Sequence, residues 1–274
     1  MKEIKNKWLS VIVIYILLFV SLYYLFNIDS NGVYSNFRYN VGLEFYYNYL
    51  NSIFSYLIVG IMTVSFTVDI FYKNKMSGFQ KYIISRIGRK KRMFYEIKKV
   101  VTSSFVIYLV YNLITLVTIH LFFSNISFKE FSDSSYYATG VIGLFANSKI
   151  SLILYLIYSS IGFSIFTLFI YGVSYFIKNQ YVYKISGIVL FTGMTVLTAI
   201  LGNQLFMYFK DFKLIGLILH LFASVTLALP GVLGISTVTS IFSTHLYFWY
   251  TCFAFLIYSF ILLVIRYNLE KNNG

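Results

Sequence analysis

Apolar residues run in unbroken blocks along this chain instead of alternating with polar ones. The stretch "LSVIVIYILLFVSLYYLF" after Trp8 contains no charge. A block of about 20 apolar residues, each rising ~1.5 Å, crosses a ~30 Å hydrocarbon core as a helix. Six blocks predict spans over Trp8–Phe26, Ile53–Tyr72, Val100–Phe123, Ile150–Ile177, Ile185–Tyr208 and Tyr247–Ile265. The fourth is longer than a crossing needs, so it should tilt or project into water. Polar stretches separate the blocks, among them two outer loops at 27–50 and 124–148. With one proline in the chain, mostly unbroken helices are expected.

One segment resists that scheme. Leu214–Leu233 is apolar enough to cross, yet it contains His220 and ends in "LPGVLG". Backbone that leaves the helix at membrane depth must be buried in protein or line water. The expectation is a re-entrant or laterally packed hairpin on the outer side, broken at Pro230-Gly231. The fold class is therefore all-α: one domain over 1–274, a polytopic membrane bundle of six transmembrane helices, with the hairpin before the last. Both termini are expected in the cytoplasm, with the chain multi-pass in a cell membrane.

Composition agrees. Of 274 residues, 59% are hydrophobic and 11% charged, and the mean hydropathy is +0.76. Soluble domains carry about a quarter charged residues. A net charge of +13 would suggest nucleic acid in a soluble protein; here it follows the cytoplasmic bias of Lys and Arg. Under the six-span scheme only Arg38, Lys129, Lys149, Lys210 and Lys213 of the 22 basic residues lie outside. No nucleic-acid partner is expected; membrane lipid is. The start resembles a signal peptide, but no small-residue cleavage site follows in "NIDSNGVYSN", so an uncleaved first span is expected. Cys252 is the one cysteine, so no internal disulfide forms.

Ten of the basic residues fall between Lys73 and Lys99. Placing them in hydrocarbon would cost about 2.5–3.5 kcal/mol each, so this loop lies outside the bilayer. It also has internal architecture. Ser77 and Gln80 fit a capping box, and Gly88 suits the residue that ends a helix. At 100° per residue Phe79, Tyr82, Ile83 and Ile87 share a face, Lys81 and Ser85 look away, and Arg86 sits inside the apolar stripe. The residues alone leave two readings open: a helix that docks a partner protein, and a plain loop helix beside anionic lipid.

The stretch "DIFYKNKMSGFQKYIISRIGRKKRMFYEIKK" resembles the first cytoplasmic loop of exporter-type (type-2) ABC-transporter permeases. There a polar or acidic residue ends span two, a G-(F/T)-x-x-x-(I/L)-(L/I)-S-R segment follows, and a basic cluster re-enters the membrane. The matching positions are Asp69, Gly78, Phe79, Ile83, Ile84, Ser85, Arg86 and the cluster Arg89, Lys90, Lys91 and Arg92. The resemblance implies a coupling helix that fits a cleft on an ATPase subunit. Its docking residues would be Gly78, Phe79, Tyr82, Ile83, Ser85, Arg86 and Ile87, flanked by loop charges Asp69 and Arg89–Arg92. It further implies a bacterial cytoplasmic membrane, two copies of a separate ABC ATPase, and a second permease subunit, identical or related. Apolar walls suit a peptide, lipid or amphipathic compound. In one departure, only seven residues precede Trp8, too few for the longer inner-leaflet helix with which such permeases often begin.

No G-x-x-x-x-G-K-[ST] loop, H-E-x-x-H or G-x-S-x-G occurs. The chain is thus expected to hold no cofactor or metal and not to be an enzyme itself. His120, His220 and His245 read as hydrogen-bonding residues near membrane ends. Asp69 is either solvated at a helix end or paired with Lys73. Asn112 reads as an interhelical hydrogen-bonder, and Ser160 and Ser164 as a site of close helix approach. Tyr23, Tyr24, Tyr46, Tyr47, Phe248 and Trp249 suggest interface belts. The alternative function is a non-transport membrane protein, such as an immunity or regulatory protein that binds a partner. An intramembrane enzyme has no residue constellation behind it.

Overall fold

A computed structural model describes residues 2–30, 42–126, 128, 148–208, 212–230 and 244–272. Every secondary-structure element among them is helical. In chain order these are α1 (Lys2–Ser30), α2 (Gly42–Leu50), α3 (Ile53–Met62), a π-helical segment (Thr63–Val68), α4 (Asp69–Met76), α5 (Phe79–Ile87) and α6 (Arg89–Phe122). They continue with α7 (Ser148–Ser174), α8 (Gln180–Tyr208), α9 (Phe212–His220), α10 (Ser224–Ala228) and α11 (Thr244–Asn272). Among the described residues four helices are long and apolar enough to cross a membrane, within Arg89–Phe122, Lys149–Ser174, Gln180–Leu201 and Phe248–Asn272. Shorter apolar stretches lie at Val11–Asn27 and Ile53–Ser65. The protein is a multi-pass helical membrane bundle.

The sequence-based boundaries shift where polar residues continue a helix beyond its apolar block. The 34 residues of α6 extend for about 50 Å, against a ~30 Å hydrocarbon core, so its first turns project from the membrane. α11 likewise carries on through "RYNLEKN", which the apolar block had left as a tail. The loop expected at 73–99 is therefore mostly helix: the end of α4, all of α5 and the start of α6.

α7 is the central post. α6 and α11 pack along it, and α10 lies against it at Gly162, where an added Cβ would collide with the Leu227 carbonyl oxygen. α3 packs on α8. The helix from Ile53 to Met76 is not a plain α-helix as expected, because it widens into the π turn at Thr63–Val68. A π turn frees a carbonyl, and here the Val64 oxygen accepts from the Tyr183 hydroxyl of α8 at 3.3 Å. One turn beyond, the Tyr72 and Tyr183 rings stack with centroids 3.9 Å apart.

Three expectations about the opposite end need correction. The outer loop at 27–50 contains α2, whose Phe45, Tyr46 and Tyr49 are fully buried; residues 31–41 lie outside the described ones. Tyr46, Tyr47 and Phe248 are buried, not in an interface belt, whereas Tyr23, Tyr24 and Trp249 are exposed. In the segment before α11 the helix breaks at 221–223, between α9 and α10, ahead of Pro230. Gly231 lies outside the described residues. The break is held by side chains: Ser224 donates to the Phe191 carbonyl at 2.9 Å, and Tyr108 to that of Ala228 at 3.2 Å. Residues 129–147 of the second outer loop are also outside the described ones.

Inside, Asn112 has the interhelical role expected of it. Its Oδ1 accepts from Tyr46 at 2.9 Å, while its Nδ2 donates to the Tyr108 carbonyl at 3.1 Å. Tyr49 and Tyr111 share a hydrogen bond of 3.2 Å. Ser160 and Ser164 are buried on α7 and bond back to carbonyls of their own helix.

Candidate functional site

α5 is bounded by two glycines of positive φ, Gly78 at 72° and Gly88 at 78°. At Gly78 the ψ of −4° is left-handed, so the chain turns before Phe79 begins the helix. This overturns the capping box. Gly78 takes the N-cap, Gln80 becomes the second helical residue, and its amide is used elsewhere. Gly88 has ψ 155°, a region open essentially to glycine alone, and serves as both the end of α5 and the start of α6.

α5 buries none of its residues. Phe79, Tyr82 and Ile87 are exposed, Tyr82 to 70%, and Ile83 is half-buried. Phe79, Tyr82, Ile83 and Arg86 line one concave pocket of about 250 Å³, which places the arginine among the apolar residues. Ser85 faces away and bonds to the Tyr82 carbonyl at 2.9 Å. The helix is thus held out from the bundle with an aromatic face uncovered.

The flanking charges divide. Lys90 and Lys91 are exposed, and Arg89 donates to the Lys271 carbonyl at 3.3 Å. Asp69 opens α4, and its side chain lies outside the described residues. Arg92 is not a surface member of the basic cluster. It is 1% exposed, because α6 already begins at Arg89 and turns its fourth residue toward α11.

There it joins a set of residues that sequence reasoning missed. The Arg92 guanidinium donates to Glu270, and its Nε lies 3.7 Å from Glu96. Arg266 bonds Glu270 at 2.9 Å and Glu96 at 3.1 Å. Tyr171 of α7 donates to Glu96, and its ring underlies the Arg266 guanidinium at 4.6 Å. All four charged side chains are at least nine-tenths buried. A signal did exist: "RMFYE" and "RYNLE" both place a glutamate four residues after an arginine, in a chain with nine acids.

Gln80 ties α5 to this quartet, donating to Glu270 at 3.0 Å. Lys75 of α4 donates to the Tyr175 carbonyl at the end of α7; partial burial, then the nearby Arg266 charge, lower its ammonium pKa. The exposed helix is therefore attached to α11 by the Gln80 side chain at one end of the bundle, and continues into α6 through Gly88.

Elsewhere the chemistry is spare. The His120 Nδ1 accepts from the Ile126 amide at 3.2 Å, and the buried His220 contacts the Gly216 carbonyl at 2.7 Å. The side chain of His245 lies outside the described residues. Among the described residues no three His, Cys, Asp or Glu side chains gather to hold a metal. No known protein family, curated protein or solved structure is matched by this chain.

Proposed function

We propose that the chain is the membrane-spanning permease subunit of an ATP-driven ABC exporter. It would cross the membrane six times with both termini and the basic end in the cytoplasm, and pair with an identical or related permease. Two copies of a separate ATPase would dock beneath, each on one α5. The substrate would be a peptide, lipid or amphipathic compound.

The observation that carries this reading is α5 itself: a nine-residue helix set between two positive-φ glycines, with Phe79, Tyr82 and Arg86 exposed and Ile83 half-buried around one pocket. A helix resting in the lipid interface would keep its arginine at the polar edge of the apolar face. One that meets a protein cleft can place the guanidinium among the apolar residues, to bond a partner carboxylate. The charge distribution supports the sidedness, since the basic end is where Lys and Arg concentrate.

Affinity purification through this chain from its native membrane should bring down a P-loop ATPase. Ile83→Asp with Arg86→Glu should remove it, leaving membrane level and unfolding temperature unchanged. If no ATPase accompanies the chain, or a thiol label shows position 83 facing the exterior, the reading fails. A partner-binding membrane protein without transport then replaces it.

A further inference from the structure

We propose that Arg92, Glu96, Arg266 and Glu270 form a clasp that can open, joining α6 to α11 at the basic end, with Gln80 as its link to α5. α6 and α11 each pack along α7 and barely approach one another. The gap between them is bridged by two buried ion pairs that cross it, Arg92–Glu270 and Arg266–Glu96, and at the exposed margin by the Arg89 bond to the Lys271 carbonyl. At this end the ions are the main tie between the two helices.

An ordinary buried ion pair resists separation because each charge would be left alone. This quartet differs. Arg92 has Glu96 four residues on, and Arg266 has Glu270 four residues on, so every charge has a second partner on its own helix. If the helices part, each arginine falls back on its own glutamate.

Arg92 already shows the unused capacity. Its Nε and Nη1 have no hydrogen-bond partner, and Nε stands 3.7 Å from Glu96, too long for a good bond. Opening would let that pair tighten and the guanidinium meet water. The bound and the parted arrangement are therefore both paired, which is what a two-state element requires.

Gln80 connects the clasp to the surface. Its bond to Glu270 is made to the same Oε1 that Arg266 Nε uses, so a displacement of α5 acts on the shared carboxylate. Motion of α5 thereby reaches α11, far along the chain, as well as its sequence neighbours α4 and α6. The inference rests on the chain's own geometry and stands whether or not an ATPase is the partner.

The test uses hydrogen exchange by mass spectrometry on the full chain in phosphatidylethanolamine–phosphatidylglycerol nanodiscs. Arg92→Glu/Glu96→Arg keeps the α6 pair but sets like charges across the gap. Arg266→Glu/Glu270→Arg does the same from α11. Each alone should raise exchange in 89–100 and 262–272 by about ten-fold while α7 stays at its wild-type rate. The four changes together restore opposite charges across the gap and should bring exchange back to within about two-fold of wild type. Gln80→Ala should raise exchange in 79–87 by about three-fold and leave 89–100 unchanged. The proposal is overturned if either paired exchange leaves wild-type rates, or if the fourfold variant stays open. It is overturned equally if a paired exchange prevents insertion, since own-helix pairing then does not suffice, or if Gln80→Ala leaves α5 unaffected.

Discussion

Gly60 on α3 faces the backbone of Ile188 on α8 so closely that a Cβ on the glycine would lie 2.7 Å from the Ile188 Cα. The neighbouring Gly187 presses in turn on the Gly60 carbonyl. Small residues let membrane helices approach backbone to backbone, and dispersion and weak hydrogen bonds then hold the pair. Gly187→Ala should therefore force α3 and α8 apart and destabilise the protein by about 1–3 kcal/mol. Gly193→Ala, on the same helix with open space around it, is the control and should be neutral or slightly stabilising. Thermal unfolding of purified protein in detergent distinguishes the two.

Asn112 should be costly to replace. Asn112→Ala leaves the buried Tyr46 hydroxyl without an acceptor, an expected loss of about 1–3 kcal/mol. Tyr46→Phe removes the donor but leaves Asn112 bonded to the Tyr108 carbonyl, so it should cost less. The double variant should cost less than the two single losses added together, read as unfolding midpoints in a double-mutant cycle.

Glu96→Ala should be far more damaging than removal of an exposed charge from the basic run. It strips one of the two carboxylates shared by the buried Arg92 and Arg266, leaving two guanidinium charges on Glu270 alone and the Tyr171 hydroxyl without its acceptor, at about 3–5 kcal/mol. Lys90→Ala and Lys91→Ala, both exposed, should stay within about 0.5 kcal/mol of wild type. Membrane-inserted yield and unfolding temperature report the contrast between positions that look alike in a basic run.

The two glycines of α5 should not respond equally. Neither has a neighbour within 4 Å of an added Cβ, so only backbone strain decides. Gly78 is in the left-handed region, where alanine costs about 1 kcal/mol. Gly88, with ψ 155°, sits where non-glycine residues are hardly found, and alanine should cost about 1–3 kcal/mol and swing α5 relative to α6. A spin-label distance between positions 82 and 95 should change in Gly88→Ala and hold in Gly78→Ala.

The long helices were legible because uninterrupted apolar blocks have one stable form in hydrocarbon. α2 was not: "GLEFYYNYL" reads as a polar loop until its tyrosines meet Ser21, Tyr111 and Asn112, partners 28 to 66 residues away. Tyrosine belongs equally to an interface and to a polar core, and only distant hydroxyl partners decide. α5 was visible in its face and in its closing glycine, yet its opening was misassigned. Ser77 and Gln80 have the right spacing for a local cap, but Glu270, 190 residues on, takes the amide. Arg92 went astray for a related reason. A charge in a basic run looks solvated unless its acidic partner can be seen, and Glu270 lies 178 residues away.

The wide turn at Thr63–Val68 sets an angle as well as freeing a carbonyl. Each residue advances a helix by about 100°, so one extra residue in a turn rotates everything after it by about that much around the axis. The compass bearing of α4 is therefore written in the turn just before it, and through Gly78 that of Phe79 and Tyr82 is written about ten to twenty residues upstream, inside the bundle. Trimming a single residue there would leave the exposed aromatic pair intact in composition yet aimed at the wrong quarter.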